Sequence, residues 1–242
     1  MNLGERIKNY YENQWKFKLP MRMPIIVRID GKNFHTWTRK HQCVKPFDRE
    51  LMKIFDESAV HLCYMIPDVQ FAYLQSDEIN LLIHNYKTIE QEAWYDNNLQ
   101  KIVSIIASTY SSLFNFLYFS KDFYELAFFD CRAFCLPENE VVNYFIWRQK
   151  DWERNSIQML ARQFYSHKEL NNKKRDEIHE MLFQKNVNWA NLSTQLKNGR
   201  CVVKRDDKWI VDHEIPIFTQ DREYVEKYLK IEDNDFNKLV NV

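Results

Sequence analysis

Pro24-Ile25-Ile26-Val27-Arg28-Ile29-Asp30-Gly31 is the stretch on which the fold turns. Its run of mostly β-branched apolar residues predicts a buried strand over residues 24–29, and Asp30-Gly31 ends it. Downstream, Pro46 suits the first turn of a helix. Phe47, Leu51, Ile54, Phe55, Ala59 and Leu62 share one face of that helix. Val69, Phe71 and Tyr73 alternate as a strand, Gln75-Ser76-Asp77-Glu78 makes a turn, and residues 79–83 return. Asn97 or Asn98 caps a second helix, whose apolar face takes in Leu99, Ile102, Val103, Ile106, Tyr110, Leu113 and Leu117. Residues 124–129 predict a further strand. The resulting order β-α-β-β-α-β is the ferredoxin-like arrangement, an α+β fold also found at the core of polymerase palm and nucleotidyl cyclase domains. Fold alone does not give function.

After Pro137 the character changes. Residues 138–165 predict a long helix, with Val141, Phe145, Trp152, Leu160 and Phe164 as apolar anchors, and residues 173–183 a second one. Residues 201–204 and 209–211 predict a hairpin around Asp206-Asp207, and the acidic end of the chain is expected to be peripheral. The chain therefore divides into a palm-like core with an N-terminal helix, residues 1–137, and a helical extension with its hairpin, residues 138–242, expected to pack on that core.

Composition narrows the chemistry. The chain has 242 residues, 45% of them hydrophobic and 28% charged, which is ordinary for a globular protein. Its formal net charge is zero, and that neither supports nor excludes a nucleic-acid partner, because binding depends on how charge is distributed. Its three glycines, Gly4, Gly31 and Gly199, are too scattered for a Walker A or a GxGxxG loop, so any nucleotide phosphate must be held by another device. The five cysteines lack a CxxC pair and suit reduced thiols in the cytoplasm; Cys131 and Cys135 have no second metal-ligand pair nearby. Residues 1–11 are too polar for a signal peptide, and the greasiest stretch, 105–119, is too polar to span a bilayer. A soluble protein without membrane contact is expected.

Two carboxylates stand out. Asp30 ends the first strand and Asp77 lies in the turn between the next two, and in a ferredoxin-like sheet such strand ends can lie side by side. Carboxylates there are hard oxygen ligands suited to Mg²⁺, and Gly31, lacking a side chain, can offer its carbonyl at close range. A pair of Mg²⁺ ions is the usual device for in-line phosphoryl displacement. Asp is also a common turn residue, and spacing leaves that reading open. Glu78 fits either a supporting group behind Asp77 or an ordinary polar strand residue.

Phosphate requires amides and cations. The loop Gly31-Lys32-Asn33-Phe34-His35 can turn several N–H groups inward as an anion nest, and the Ser76 hydroxyl can donate. Lys101 falls early in a helix, where a cation opposes the helix dipole; a bound phosphate or plain solvation would each account for it. Arg148, Lys150, Arg154, Arg162, Lys168, Lys173, Lys174 and Arg175 outnumber the acids near them, and Trp147, Trp152, Phe164 and Tyr165 interleave. That stretch reads as an RNA surface or as an amphipathic helix with a solvated face. His167 suits an RNA contact, a base or a structural histidine.

Arg28-Ile29-Asp30-Gly31-Lys32-Asn33-Phe34-His35, Lys45-Pro46-Phe47-Asp48 and Ser76-Asp77-Glu78 together resemble the signature of the tRNA(His) guanylyltransferase family. Phe129-Asp130-Cys131-Arg132, Tyr144-Phe145-Ile146-Trp147-Arg148-Gln149 and Tyr165-Ser166-His167-Lys168-Glu169-Leu170 continue it in order. The resemblance implies a palm-like core with two Mg²⁺ ions held by Asp30, Gly31 and Asp77. It implies 3′-to-5′ addition of nucleotides to tRNA: ATP or GTP activates a 5′-monophosphate, and the 3′-hydroxyl of an incoming NTP attacks it. Lys45 and Lys101 match phosphate-binding lysines, and His35 and Asp48 match residues near the nucleotide. A homotetramer is implied too.

One stretch departs. Eukaryotic members carry His-Ile-Asn-Asn after the Trp-Arg-Gln segment, whereas Glu153-Arg154-Asn155-Ser156 stands here. This resembles the guanylyltransferase-like branch, which favours template-dependent repair of 5′-truncated tRNAs. The alternative within the class is addition of a single G to tRNA(His). A noncatalytic RNA-binding module would place bare carboxylates against RNA, and a cyclase has no use for the basic helix.

Overall fold

The computed structural model of the chain describes residues 1–88, 90–119 and 125–230. Six strands, β1 (Ile25–Gly31), β2 (Val69–Gln75), β3 (Glu78–Ile83), β4 (Phe129–Cys135), β5 (Arg200–Arg205) and β6 (Lys208–Asp212), form one sheet. Its order is β4-β1-β3-β2-β5-β6, and every neighbouring pair is antiparallel. The helices are α1 (Leu3–Ile7), α2 (Phe34–Lys40), α3 (Arg49–Met65), α4 (Leu99–Tyr118), α5 (Glu138–Ala161), α6 (His167–Leu170), α7 (Arg175–Phe183), α8 (Thr194–Asn198) and α9 (Glu223–Glu226). None is long and apolar enough to cross a membrane.

The central strands are covered on both faces, and this explains why β1 reads as a continuous apolar run. Ile25, Val27 and Ile29 join a core with Ile54, Phe55 and Leu62 of α3 and Ile106, Tyr110 and Phe114 of α4. Ile26, on the other face, packs with Phe71, Tyr73 and Leu82 against Val141 and Phe145 of α5 and against Phe218 and Val225. The far end of α5 leaves the sheet and builds a third cluster, in which Ile157 and Leu160 meet Leu170, Ile178, Leu182 and Trp189. The helices after Pro137 thus share cores with the strands before it, and β5–β6 extends the same sheet.

Several boundaries move for local reasons. Pro46 does not open a helix. Asp48 does, accepting from the Leu51 N–H at 2.9 Å, so Phe47 falls outside α3 and its ring faces Trp152 instead. Asn98, not Asn97, caps α4 by accepting from the Lys101 N–H at 3.0 Å. The strand expected over 124–129 begins at Phe129, opposite Gly31. Tyr124 lies outside the described residues; Ala127 is held by the Asn115 side chain, which bonds its N–H and its carbonyl in place of a strand partner. Helix α5 stops at Ala161, short of the expected 165, and Ser166 and Glu169 start α6 with a capping box. The hairpin forms as expected, with Asp206 and Asp207 both left-handed at φ 48° and 60°. The acidic end, residues 231–242, lies outside the described residues.

Candidate active site

The site is built where β1 ends beside the β2–β3 turn. In strand register Asp30 stands directly opposite Glu78 of β3 on one side and Asp130 of β4 on the other. Ser76, left-handed at φ 47°, turns the chain so that Asp77 approaches Gly31. The approach is close. A Cβ added to Gly31 would lie 2.7 Å from an Asp77 carboxylate oxygen and 2.7 Å from the Phe34 ring. Only glycine fits there.

The carboxylates burden one another. Burial raises the Asp30 carboxyl above its usual range, and the charges of Glu78 and Asp130 add to that, against Arg28 and Arg132. Burial raises the Asp77 carboxyl to about 6; Asp30 and Glu78 push the same way, and a Ser76 hydrogen bond opposes them. Neighbouring carboxylates that resist ionisation in this way suit a cation between them. Among the described residues no three His, Cys, Asp or Glu side chains converge as a metal cage. Two carboxylates and a backbone carbonyl are the donor set present, and Mg²⁺ is commonly held that sparingly when phosphates complete its shell. Asp30, Asp77 and Gly31 therefore fit the Mg²⁺ ions that the family resemblance implies.

Behind this corner lies a buried polar layer under α5. Arg148 donates from Nε to Glu78 Oε1 and from Nη2 to Glu78 Oε2, each at 2.7 Å, and from Nη2 to Asp151 at 3.0 Å. Gln75 and Asn80 each donate to Glu78 Oε1 at 2.8 Å. Arg148 was expected on the RNA surface. Helical periodicity instead turns it inward, where the Glu78 charge compensates it.

A cleft of about 720 Å³ opens from the corner between α5 and the loop before α3. His35, Lys45, Asp48 and Ser76 line it, and Arg162 lines it from the end of α5. Asp48 is occupied, however, accepting from the Val44 and Leu51 N–H groups, so it folds the loop that carries Lys45. The Phe34 ring belongs to the core, stacked 4.8 Å from Trp37. Lys32 and Asn33 are exposed and do not line the cleft; the Lys32 N–H donates to the Phe128 carbonyl, so the expected nest loses one amide.

Lys101 does not join this cleft. Helix α4 runs back along the sheet, its last turn beside β4's start at Phe129 and its first turn near Leu19. At 1.5 Å per residue its 20 residues span roughly 30 Å. Lys101 therefore sits at the far end from Asp30, with its ammonium 5.6 Å from the Tyr95 ring centre. Lys150, Arg154, His167 and Lys168 are exposed outside the cleft, and Arg154 is paired with Asp151.

Four further residues that the sequence does not assign to the nucleotide or metal site line the cleft. Arg28 Nε, Gln75 Oε1, Trp152 Nε1 and Arg200 Nη2 are buried without a hydrogen-bond partner among the described residues. Arg28 alternates with Asp30 along β1, a signal the sequence did carry. Arg200 did not signal itself: it comes from a remote hairpin and meets Asp56 of α3 at 2.5 Å.

Comparison with known proteins points the same way. A family model described as tRNAHis guanylyltransferase matches residues 4–137. A bacterial tRNA(His) guanylyltransferase-like protein solved in complex with ATP is 44% identical, with a TM-score of 0.90 over 96% of this chain and 100% of that one. A structure of such a bacterial protein in complex with GTP is 42% identical, with a TM-score of 0.82 over 94% and 99%. A probable tRNA(His) guanylyltransferase of Dictyostelium discoideum is 29% identical over 199 residues, 75% of each chain.

Proposed function

This chain belongs to the tRNA(His) guanylyltransferase family, whose members are nucleotidyltransferases, and from that premise we propose that it repairs 5′-truncated tRNAs by templated 3′-to-5′ addition. The observation that carries the reading is the Asp30–Gly31–Asp77 corner opening directly into a cleft with Lys45 and Arg162 on its walls. The β4-β1-β3-β2 part of the sheet serves as a ferredoxin-like, palm-type core. The working protein is a homotetramer, as the family resemblance implies, and its cysteines, without a CxxC pair, suit the cytoplasm.

In this reading the 5′ end of tRNA and the nucleotide triphosphate meet in the cleft. Lys45 and Arg162 bind phosphate oxygens, and the Ser76 hydroxyl adds a donor at the turn. The 5′-monophosphate attacks the α-phosphate of ATP or GTP with release of pyrophosphate, and the 3′-hydroxyl of the incoming NTP then attacks the activated 5′ phosphate with release of the activating nucleoside monophosphate. Asp30, Asp77 and the Gly31 carbonyl would hold two Mg²⁺ ions, which when bound lower the pKa of the attacking hydroxyl and stabilise the leaving phosphate.

The preference for repair over strict tRNA(His) guanylation rests on the resemblance of residues 153–156 to the guanylyltransferase-like branch, where eukaryotic members carry His-Ile-Asn-Asn. Glu153 pairs with Arg175 at 2.5 Å, Arg154 with Asp151, and Ser156 is buried against the Trp189 indole at 3.0 Å. This stretch braces α5 against α7 and the segment carrying Trp189. The test pairs tRNAs of different anticodon, each lacking its first nucleotide, with each single NTP, and maps the 5′ ends. Addition governed by the opposing base in several tRNAs is expected. Addition of G alone, or to tRNA(His) alone, restores the narrower guanylyltransferase.

A further inference from the structure

We infer that Arg148 is a positioning residue that holds Glu78 out of the metal corner, keeping that corner a two-carboxylate site with open positions for substrate phosphate. The inference rests on the metal reading proposed above.

Glu78 is well placed to intrude. It follows Asp77 in the chain and faces Asp30 across the β1–β3 pair. Cβ atoms of directly opposed residues stand about 4.5–5.5 Å apart, so a side-chain rotation suffices to bring its carboxylate to the corner. Its charge already reaches both aspartates. What prevents the rotation is a saturated set of donors. Oε1 accepts from Arg148, Gln75 and Asn80, and Oε2 accepts from Arg148. The fork is itself fixed: Asp151 holds Nη2, and the guanidinium carbon lies 4.5 Å from the Trp147 ring centre. The side chains of Arg148 and Glu78 are only 7% and 10% exposed.

The consequence is chemical. A third carboxylate would tighten a divalent ion and take a coordination position that a phosphate oxygen needs. Mg²⁺ that works on phosphates is usually held by one or two carboxylates, with water and phosphate in the rest of its shell. A bidentate guanidinium fixes both oxygens of Glu78, which the point charge of a lysine cannot do.

The experiment measures Mn²⁺ binding by electron paramagnetic resonance on the full chain without tRNA or nucleotide. Broadening by ¹⁷O-water counts the waters on the ion. The double variant Arg148→Gln with Glu78→Gln removes a compensated pair and should keep the wild-type water count, with affinity within about threefold. Arg148→Gln alone should bind Mn²⁺ about tenfold tighter, with at least one water fewer, because Glu78 becomes a ligand. If Arg148→Gln does not fold, Arg148→Lys, which keeps a cation but not the fork, is read in its place with the same expected loss of water. An unchanged water count in the single variant overturns the inference, and so does a tenfold loss of affinity in the double variant. Asp30→Asn is the control: if it binds Mn²⁺ normally, the metal reading itself fails, whatever Arg148 does.

Discussion

A single methyl group at position 31 would stand 2.7 Å from an Asp77 oxygen and 2.7 Å from the Phe34 ring, both far inside van der Waals contact. Gly31→Ala should therefore displace Asp77 or the loop after β1. Overpacking of this kind costs about 1–3 kcal/mol of stability. The loss of nucleotide addition should be much larger than that figure suggests, about a hundredfold or more, because a misplacement of about 1 Å disrupts reacting geometry. Steady-state kinetics beside a thermal melt separates the two effects. Asp77 also sets a pH dependence. In metal-free protein its carboxyl is raised from 3.8 to about 6, so the folded state holds the proton more tightly than the unfolded chain. The associated stability is fully present below about pH 4 and is lost as pH rises through about 6, with Asp30 acting in the same direction. Melting in EDTA should show this slope, and Asp77→Asn should flatten it. Of these features the sequence displayed Asp30, Gly31 and Asp77, because strand ends and turns are local patterns. It did not display Glu78's capture by Arg148, because 70 residues separate the partners.

Elements account for the remaining successes and misses. Pro46 is a good first-turn residue, but α3 starts after Asp48, an N-cap whose carboxylate accepts from the Leu51 N–H of the first turn and from the Val44 N–H of the loop before it. Its effect reaches the site, since the loop it closes carries Lys45. Asp48→Ala should lower stability by about 0.5–2 kcal/mol and raise the KM for NTP more than the Kd for tRNA, as read by melts, kinetics and filter binding. The basic stretch of α5 was counted along the chain, whereas the helix distributes it by its 3.6-residue period. Arg148 goes inward, Lys150 and Arg154 outward, and Arg162 to the cleft. Replacing Arg154, Arg162 and Lys168 together with alanine should weaken tRNA binding and flatten its salt dependence. Each lost phosphate contact lowers the log–log slope by roughly 0.7–0.9. An unchanged slope would show a merely solvated face.

At the scale of the whole molecule, the sequence conveyed the strand–helix order because each step has a local periodicity. It did not convey that the hairpin after Gly199 joins the same sheet beside β2, since pairing between distant strands leaves no mark in either strand alone. That pairing matters for the site. It brings Arg200, 1% exposed, under the cleft and against Asp56. It also lets α5 lie across the second face, so that the polar layer behind Asp30 closes. In the proposed function, the Asp30–Gly31–Asp77 corner is where nucleotides are joined to the 5′ end. The most direct measurement supplies a 5′-recessed tRNA, the NTP that pairs with the exposed template base, and Mg²⁺, to wild type and to Asp30→Asn and Asp77→Asn proteins matched for fold and tRNA binding. Wild type should join one nucleotide per recessed position, and each variant should lose about a thousandfold or more, of the order seen when metal or electrostatic stabilisation of a transition state is removed. Near-normal addition by either variant at ordinary Mg²⁺ would contradict it.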